Sequence, residues 1–474
     1  MTRTRWITLT VVAAATAMLL LDVTIVYVAL PAIQQDLGAG FGEMQWVIDA
    51  YTVTLAASLL GAGTLADRYG RARIFALGLL VFTACSAICG LADSAVALNL
   101  ARGAQGIGAA AMFAASLAIL ANEFQGRERG FALGIWGAVT GASLAIGPLL
   151  GGLLVDGLGW RWIFLINLPI GLLLTGLTLK VLPDSAKRNP RPADPIGISL
   201  FAAASLLFVF GLIRGNEDGW ASPPIVASLA AAVILFAAFV AFERHSRAPM
   251  LDFALFRIRA FSGTALIAFS QSVAIYPLLL FLAIYFQAAL GMTPTETGLR
   301  LMPMTVAIFV VAPISGKLTS RLPLRVPLGL GLLLLGLGLL LMRGVDATDA
   351  WTALLPGMAV GGIAIGMISP ALAAAMVSVL PVEESGLSSG INNTFRQLGI
   401  AFGVAGLGAI FDYRPGISSP EQIVSGLHSV ALVAAVIAIG AAVVGWLMLG
   451  GHRATPQPAE SDAIATGESA AAGG

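Results

Sequence analysis

The stretch LLLDVTIVYVALPAI, residues 19 to 33, contains a single carboxylate, Asp22, inside an apolar segment that extends from Trp6 to about Leu30. A segment of this length can cross the hydrocarbon core of a bilayer as one helix. An ionisable side chain is costly at that depth, so it normally faces a cavity or a partner and marks a path for substrate or protons. Asp22 is therefore the first candidate functional residue.

The composition of the chain also indicates a membrane protein. Of the 474 residues, 58% are hydrophobic and 11% are charged, and the mean hydropathy is +0.91. A water-soluble domain could not bury this much apolar surface. The net charge of +1 gives no argument for nucleic acid, because Lys and Arg occur in short loops and form no basic face. Cys85 and Cys89 are interpreted as small helix-packing residues, and the histidines have no metal-ligand spacing, so no metal site is expected.

About fourteen apolar segments are long enough to cross a bilayer as helices. The stretch at the N-terminus is interpreted as an uncleaved first helix, because no polar cleavage region follows it. An even number of spans places both termini on the same side. The predicted helices cover residues 6–30, 46–66, 74–92, 95–121, 131–156, 163–182, 195–213, 222–242, 261–289, 297–319, 326–343, 351–379, 391–411 and 427–448.

The basic residues predict the orientation of these spans. Segments on the N-terminal side hold about three times as many Lys and Arg residues as the opposite loops, and such short basic loops stay in the cytoplasm. We therefore expect a multi-pass membrane protein with both termini in the cytoplasm.

A weak internal repeat divides the chain. GTLADRYGRAR at 63–73 recurs approximately as GKLTSRLPLR at 316–325, as expected of two parallel six-helix halves. The second copy has Ser320 where the first has Asp67. The predicted divisions are an N-terminal six-helix half at 1–182, a linker with two extra transmembrane helices at 183–260, a C-terminal six-helix half at 261–450, and a disordered cytoplasmic tail at 451–474.

Six motifs occur in order along the predicted helices: LDVTIVYVALPAI at 21–33, GTLADRYGRAR at 63–73, LNLARGAQGIGAA at 98–110, GAVTGASLAIGPLLGG at 137–152, WRWIFLINLPIG at 160–171 and SSGINNTFRQLG at 388–399. Together they resemble the major facilitator superfamily, and specifically its fourteen-helix drug:proton antiporter branch. The resemblance covers nearly all of residues 6–448. It implies an all-α integral membrane fold of two six-helix halves with two extra central helices. It also implies activity as a multidrug efflux antiporter in the cytoplasmic (inner) membrane of a bacterium.

The loop motif contributes the residues of a predicted conformational latch, namely Gly63, Asp67, Arg68, Gly70, Arg71, Arg73 and Glu123. The glycines permit close packing and a tight turn, and the arginines hold the loop at the cytoplasmic face. We hypothesise that Asp67 faces the N-terminus of the helix that begins near Ser388 and so closes the cytoplasmic side. Glu123 could pair with Arg71 or Arg73. The alternative is that these residues only anchor the topology.

Arg102 on the fourth predicted helix is a permanent cation in an apolar segment, so it needs a partner or a wet cavity. Gln105, polar groups on the first helix and Asp22 are the candidate partners. We expect Arg102 to face the central cavity and to influence when Asp22 gives up its proton. A buried arginine bound to backbone carbonyls is the alternative. Asp49, near the outer end of the second helix, is a second acidic candidate for proton coupling.

The fifth predicted helix carries the residues of the antiporter motif, which are Gly137, Gly141, Gly147, Pro148, Gly151 and Gly152. Small residues one turn apart allow two helices to approach closely, and Gly-Pro weakens the helix so that it can bend. The resemblance implies that this segment packs against the helix at 297–319 and seals the cavity against proton leak.

A drug site combines apolar and aromatic walls with few polar groups. Aromatic residues in membrane helices are more often packing or interface residues than ligand contacts. The candidate substrate contacts are Tyr27, Phe113, Trp136, Asn167, Gln271, Tyr276, Asn392, Asn393 and Gln397.

The sequence thus predicts a proton-coupled antiporter that exports amphipathic, cationic drugs by alternating access, as a monomer, with protons, the small substrate and the bilayer as its partners. No cofactor is expected, because the chain has no GxxxxGK[ST] sequence and the proton gradient would supply the energy. A dedicated exporter of one endogenous metabolite or lipid stays open on the same scaffold. Proton-coupled uptake, a non-transporting receptor and a membrane enzyme are the less favoured alternatives.

Overall fold

The structure, a computed structural model, describes residues 2–124, 126–182, 194–246, 249, 251, 253–319, 321–346, 350–379, 385–411 and 418–451. In these ranges the chain forms fourteen long helices with short connections. They are α1 Arg3–Leu37, α2 Phe41–Tyr69, α3 Arg71–Gly90, α4 Ala95–Glu123, α5 Gly126–Leu158, α6 Asn167–Val181, α7 Pro195–Asp218, α8 Pro223–His245, α9 Arg259–Ile284, α10 Pro294–Thr319, α11 Arg325–Leu341, α12 Leu355–Ser378, α13 Ser385–Phe411 and α14 Pro420–Leu449. A short helix, Trp162–Leu165, precedes α6, and α9 continues into a π-helical turn, Tyr285–Ala289.

All fourteen predicted segments coincide with helices, so the predicted fold class is confirmed. Thirteen of the helices are long and apolar enough to cross a membrane, and the described end of α5, Ile146–Leu158, is apolar as well. Several helices begin before the apolar segment, because polar capping side chains set their ends. Thr2 accepts from the Arg5 N–H at the start of α1, and Ser419 caps α14 through Gln422.

The two halves repeat one packing arrangement. In the first half, α1 packs on α5, α4 packs on α2 and α3, and α6 packs on α3. In the second half, α9 packs on α13, α12 packs on α10 and α11, and α14 packs on α11. The turn between α2 and α3 and the turn between α10 and α11 carry the two copies of the repeated motif, although Ser320 lies outside the described residues.

Two pairs of helices form the most extensive contacts between the halves. α5 packs on α10, and α2 packs on α13, which are symmetry-equivalent contacts in the repeat. The two extra helices, α7 and α8, pack on each other as a hairpin, and α7 also contacts α2 and α13. The hairpin therefore lies beside the α2–α13 contact between the halves. The residue limits predicted for the halves and the linker stay predictions, and residues 183–193 and 452–474 lie outside the described ranges.

Candidate functional site

Asp22 on α1 and Arg102 on α4 form a buried ion pair. Arg102 Nη1 donates to Asp22 Oδ2 at 2.5 Å and to Gln105 Oε1 at 2.7 Å. Arg102 Nε donates to the Val47 carbonyl on α2 at 3.0 Å, and Gln105 Nε2 donates to Asp22 Oδ1 at 3.2 Å. Arg102 is 1% exposed and Asp22 is 2% exposed. The pair thus links three helices of the first half. Arg102 has both of the partners that the sequence left open, because it binds the Asp22 carboxylate and also a backbone carbonyl.

A third donor reaches Asp22 from α6. Asn167 Nδ2 donates to Asp22 Oδ1 at 3.1 Å and to Ser86 Oγ on α3 at 3.0 Å. Asn167, a candidate substrate contact, is therefore bound to the carboxylate itself. Ser86 donates in turn to the Phe164 carbonyl at 2.9 Å, which ties α3 to the short helix before α6.

Aromatic rings enclose the guanidinium of Arg102. Its Cζ lies 4.2 Å from the ring centroid of Tyr51 and 5.7 Å from that of Phe164, which is cation–π geometry. Removing one partner of a buried pair leaves an uncompensated charge, which is strongly unfavourable. Asp22 can therefore leave Arg102 only if a proton or a ligand cation compensates the carboxylate and Arg102 itself gains another partner.

Asp49 on α2 differs from Asp22 because its carboxylate is buried without a hydrogen-bond partner. It is 0% exposed, and neither oxygen is bonded to any described residue. The Tyr27 hydroxyl is also buried and has no partner within the described chain, and Tyr276 on α9 is 9% exposed. A buried carboxylate without a partner is costly in its charged form. The Asp49 carboxylate is therefore a group to which a proton or a positively charged part of a ligand can bind.

Two aromatic candidates of the first half, Phe113 and Trp136, pack on each other, and Phe113 also contacts Arg396 of the second half. Phe113 and Trp136 pack edge to face with ring centroids 5.8 Å apart, and Trp136 Nε1 donates to Thr16 Oγ1 at 2.9 Å. The Arg396 guanidinium on α13 lies 5.9 Å from the Phe113 centroid. Arg396 is half-buried, its Nε has no hydrogen-bond partner, and it forms no ion pair with the described residues.

The remaining candidates lie on α9 and α13 and are buried. Gln271 and Gln397 each have a side-chain oxygen without a partner in the described part of the chain. Asn392 Nδ2 donates to the Ser388 carbonyl at 2.9 Å, and its Oδ1 is unpaired with any described group. Asn393 is 6% exposed. Buried amide oxygens without partners can accept hydrogen bonds from a ligand.

The α5–α10 contact depends on glycines. A Cβ at Gly152 would overlap the Pro294 carbonyl and lie 2.7 Å from Thr295 Cα. A Cβ at Gly298 of α10 would lie 2.6 Å from the Pro148 carbonyl. The backbones therefore touch here, so the fifth helix packs against the segment at 297–319 as the resemblance implies. The sealing role of the contact stays a prediction.

The other glycines of the antiporter motif have a different partner. Gly147 and Gly151 lie against α1, where an added Cβ would meet its backbone or side chains. Gly137 and Gly141 belong to α5, but their surroundings are outside the described part of the structure.

The loop motif forms a tight turn between α2 and α3. Gly70 has a φ of 106°, which favours glycine. Arg71 Nη2 and Nε donate to Asp67 Oδ1 at 3.0 and 3.2 Å, and Arg71 Nη1 donates to the Ala118 carbonyl of α4 at 3.0 Å. The contact of Asp67 with the start of α13 stays a prediction, since the side chains of 385–387 are not among those described.

Glu123 has a different partner from the one expected. Its Oε1 lies 3.8 Å from Nε of Arg5 at the start of α1, rather than against Arg71. Arg71 is held instead by the Asp67 carboxylate on α2 and by the Ala118 carbonyl on α4. Arg68 is exposed and stacks on Tyr69 at 5.4 Å. Gly63 faces α4, where its Cβ would lie 4.0 Å from that of Ala114; Arg73 is exposed.

Sequence reasoning did not single out Tyr51, Ser86 or Arg396. Arg396 could have been found by the same argument as Arg102, because it is a cation inside an apolar segment. Tyr51 and Ser86 have no such signal, because tyrosine and serine are ordinary residues in membrane helices.

Two similar six-helix halves, the first of which holds a buried charge network, are typical of secondary transporters. A family model described as Major Facilitator Superfamily matches residues 12–256 and 260–471. The chain belongs to this superfamily.

Three relatives that share 34–38% sequence identity with the chain are named as resistance or export proteins. The chain is 38% identical over 412 residues to Multidrug resistance protein Stp of Mycobacterium tuberculosis (strain CDC 1551 / Oshkosh), covering 86% of this chain and 76% of the relative. It is 36% identical to the Tetracenomycin C resistance and export protein of Streptomyces glaucescens, covering 88% and 78%. It is 34% identical to Puromycin resistance protein pur8 of Streptomyces alboniger, covering 94% and 91%.

The fold is also similar to solved structures. A peptide transporter POT in complex with sulfate superposes with a TM-score of 0.67 at 16% identity, covering 94% of this chain and 96% of the other. The human organic anion transporter MFSD10 (TETRAN) gives a TM-score of 0.62 at 14% identity, covering 95% and 100%. At these identities the likeness shows the fold alone.

Proposed function

We propose that the protein is a proton-coupled antiporter that exports amphipathic drugs across the cytoplasmic membrane of a bacterium. The observation that carries the proposal is the buried Asp22–Arg102 pair, because ionisable groups are costly at membrane depth and usually mark a path for substrate, ions or protons. The resistance and export functions in the names of the relatives support the drug-export part.

Asp22 would act as the coupling acid. When a proton binds Asp22, Arg102 loses its counter-charge, and the network through Gln105 and Asn167 must rearrange. Because this network ties α1, α4 and α6 together, its rearrangement changes how these helices pack, which is the kind of event that alternating access requires. An inward proton contributes about 2.3 kcal/mol per 100 mV of membrane potential.

The contacts between the halves indicate to which side of the membrane the transporter is closed in this conformation. The Gly152 contact with Pro294 and the hydrogen bond from Gln45 Nε2 to the Val404 carbonyl at 2.6 Å both lie at the end of the bundle away from the N-terminus. With the termini in the cytoplasm, this state is closed to the outside. The substrate would then bind from the cytoplasm between Phe113 and the amides of α13.

The test is a proton-flux assay in proteoliposomes that hold a pH gradient, with ethidium added to wild type and to Asp22→Asn. Substrate-triggered proton movement in the wild type alone is the expected result, because only the carboxylate can exchange a proton. The matched control is Asp36→Asn, since Asp36 lies on the same helix but is exposed and pairs with Arg161.

Each other outcome changes a specific part of the proposal. If the wild type moves no protons with ethidium or other lipophilic cations, cationic drug export is contradicted and a neutral or endogenous substrate becomes the candidate. If Asp22→Asn responds like the wild type, transport stands but Asp22 is not the coupling acid, and Asp49 is the next residue to change.

A further inference from the structure

A cavity of about 550 Å³ lies between the α7–α8 hairpin, α9 and α13, and we call it the lateral cavity. Nine of its lining residues are phenylalanines, contributed by α7, α8, α9, α13 and the segment that precedes α9. No residue of the Asp22 network lines it. The lateral cavity is therefore separate from the candidate transport site.

The chemistry of the walls requires an apolar occupant. Among the lining residues the polar side chains are Ser205 and Thr394, and the Thr394 hydroxyl already donates to the Gly390 carbonyl at 3.1 Å. Water gains few hydrogen bonds in such a space, so it does not fill it well. Protein interiors keep few voids larger than a water molecule, whereas this volume is that of a ligand site.

The mouth of the lateral cavity faces the lipid. Val233 and Phe236 of α8 line it and are 67% and 50% exposed. In a membrane protein the exposed surface at the middle of an apolar helix contacts acyl chains. A membrane lipid can therefore enter the lateral cavity without crossing water.

Basic residues mark the edge of the lateral cavity on the side of the N-terminus. The 3₁₀ helix Phe253–Arg257 places Phe253 and Phe256 in the wall and ends with the exposed Arg257. Arg244, in the last turn of α8, is exposed at the same end of the bundle. Basic residues next to the bilayer attract anionic lipid headgroups.

One face of α13 forms the inner wall. Ile391, Phe395, Leu398 and Phe402 recur every three or four residues and line the lateral cavity. Arg396, on the same helix, contacts Phe113 of the other half instead. An occupant of the lateral cavity therefore contacts the back of the helix whose front carries the candidate substrate residues.

We propose that the lateral cavity binds one acyl chain of an anionic phospholipid, with the lipid phosphate at Arg257 and Arg244. The α7–α8 hairpin then holds a lipid against α13, at the contact between the halves. This gives the two extra helices a function, because a twelve-helix bundle would lack the outer wall of the lateral cavity.

The test uses a phosphatidylglycerol that carries a photoactivatable diazirine at the end of one acyl chain, in phosphatidylcholine vesicles that contain the protein. We expect crosslinks on lining residues of α8 and α13 in the wild type. Ala237→Trp places a large ring in the lateral cavity and should abolish them, since Ala237 lines it. Ala238→Trp is the matched control, because the neighbouring Ala238 is exposed but does not line the lateral cavity.

The headgroup is tested with a phosphatidylcholine that carries the same diazirine chain. Arg257→Gln should lower the crosslink yield of the phosphatidylglycerol probe about fivefold and leave the phosphatidylcholine probe unchanged. Equal crosslink yields from both probes in the wild type would contradict a preference for an anionic headgroup. Crosslinks spread over the outer surface and insensitive to Ala237→Trp would overturn the lateral cavity as the site. Displacement of the probe by ethidium would overturn a lipid occupant in favour of a transported compound.

Discussion

The first and second halves repeat the same helix packing but hold their buried charges differently. In the first half, Arg102 is paired with Asp22 at 2.5 Å and is shielded by Tyr51. In the second half, Arg396 forms no ion pair among the described residues and lies over Phe113 of the opposite half. The two halves thus share their helix packing, which depends on apolar and small residues. They differ in their charged residues, which have different partners in each half.

This difference separates two tasks. A closed ion pair can respond to one proton, because a proton and Arg102 compete for the same carboxylate. An arginine without a carboxylate partner among the described residues, on the helix that also carries the unpaired amide oxygens of Asn392 and Gln397, can instead respond to the charge of a ligand. The first half therefore provides proton coupling in our proposal, and the second half provides substrate selection.

The strongest test of this comparison is the stability of the ion pair. Asp22→Asn leaves Arg102 buried without a counter-charge, and we expect the free energy of unfolding to fall by about 3–5 kcal/mol. Arg396→Gln, the matched change in the second half, should cost far less because no ion pair is lost. Chemical unfolding of the purified protein in mixed micelles measures both.

A double variant sharpens this prediction. Asp22→Asn with Arg102→Met removes both charges, so it should recover much of the lost stability while coupled transport stays absent. An Asp22→Asn variant as stable as the wild type would contradict the idea that the first half depends on this pair.

The second prediction concerns the contact between the halves. Gly152→Ala places a methyl group against Pro294 and Thr295, so α5 and α10 must separate, at a cost of about 1–3 kcal/mol. Gly157→Ala on the same helix has nothing within 4 Å of the added carbon and is the control. We expect faster proton leak from proteoliposomes with Gly152→Ala alone. Equal leak in both variants would show that this contact is not the seal.

Much of the fold could be predicted from the sequence, because a membrane-spanning helix must be apolar over its whole length. The same physical rule identified Asp22 and Arg102, since each is an expensive side chain at that depth and needs a partner. The residues that complete the site were harder to predict. Asn167 contacts Asp22 through the approach of α6 to α1, and no local pattern reports which helices approach each other.

Glu123 shows the same limit at the surface. The sequence allows Glu123 to pair with Arg71 or Arg73 across the cytoplasmic surface, but in the structure its carboxylate lies 3.8 Å from Arg5 at the start of α1. The choice among several exposed basic residues depends on the packing of whole helices, and the energy difference between such surface pairs is small.

The third prediction tests the second half. Fluorescein and rhodamine 123 share a xanthene framework, but fluorescein is anionic and rhodamine 123 is cationic. Arg396→Gln should shift the ratio of their transport rates about tenfold towards the cationic dye, the size expected for a desolvated cation–π and charge contact. Arg68→Gln is the control, because Arg68 also stacks on an aromatic ring but is exposed in the last turn of α2. An unchanged ratio in Arg396→Gln would remove Arg396 from substrate selection.

The smallest expected effect on stability is that of Asp49→Asn. The Asp49 carboxylate has no hydrogen-bond partner among the described residues, so the amide removes no contact, and the free energy of unfolding should change by less than about 1 kcal/mol. If Asp49 carries a second proton, this stable variant should lose part of the proton flux per transported ethidium. Flux measured against ethidium efflux in the same vesicles gives that ratio. A ratio equal to the wild-type value would leave Asp22 as the sole coupling acid of the first half, and the unpaired carboxylate would then be a contact for positively charged ligands.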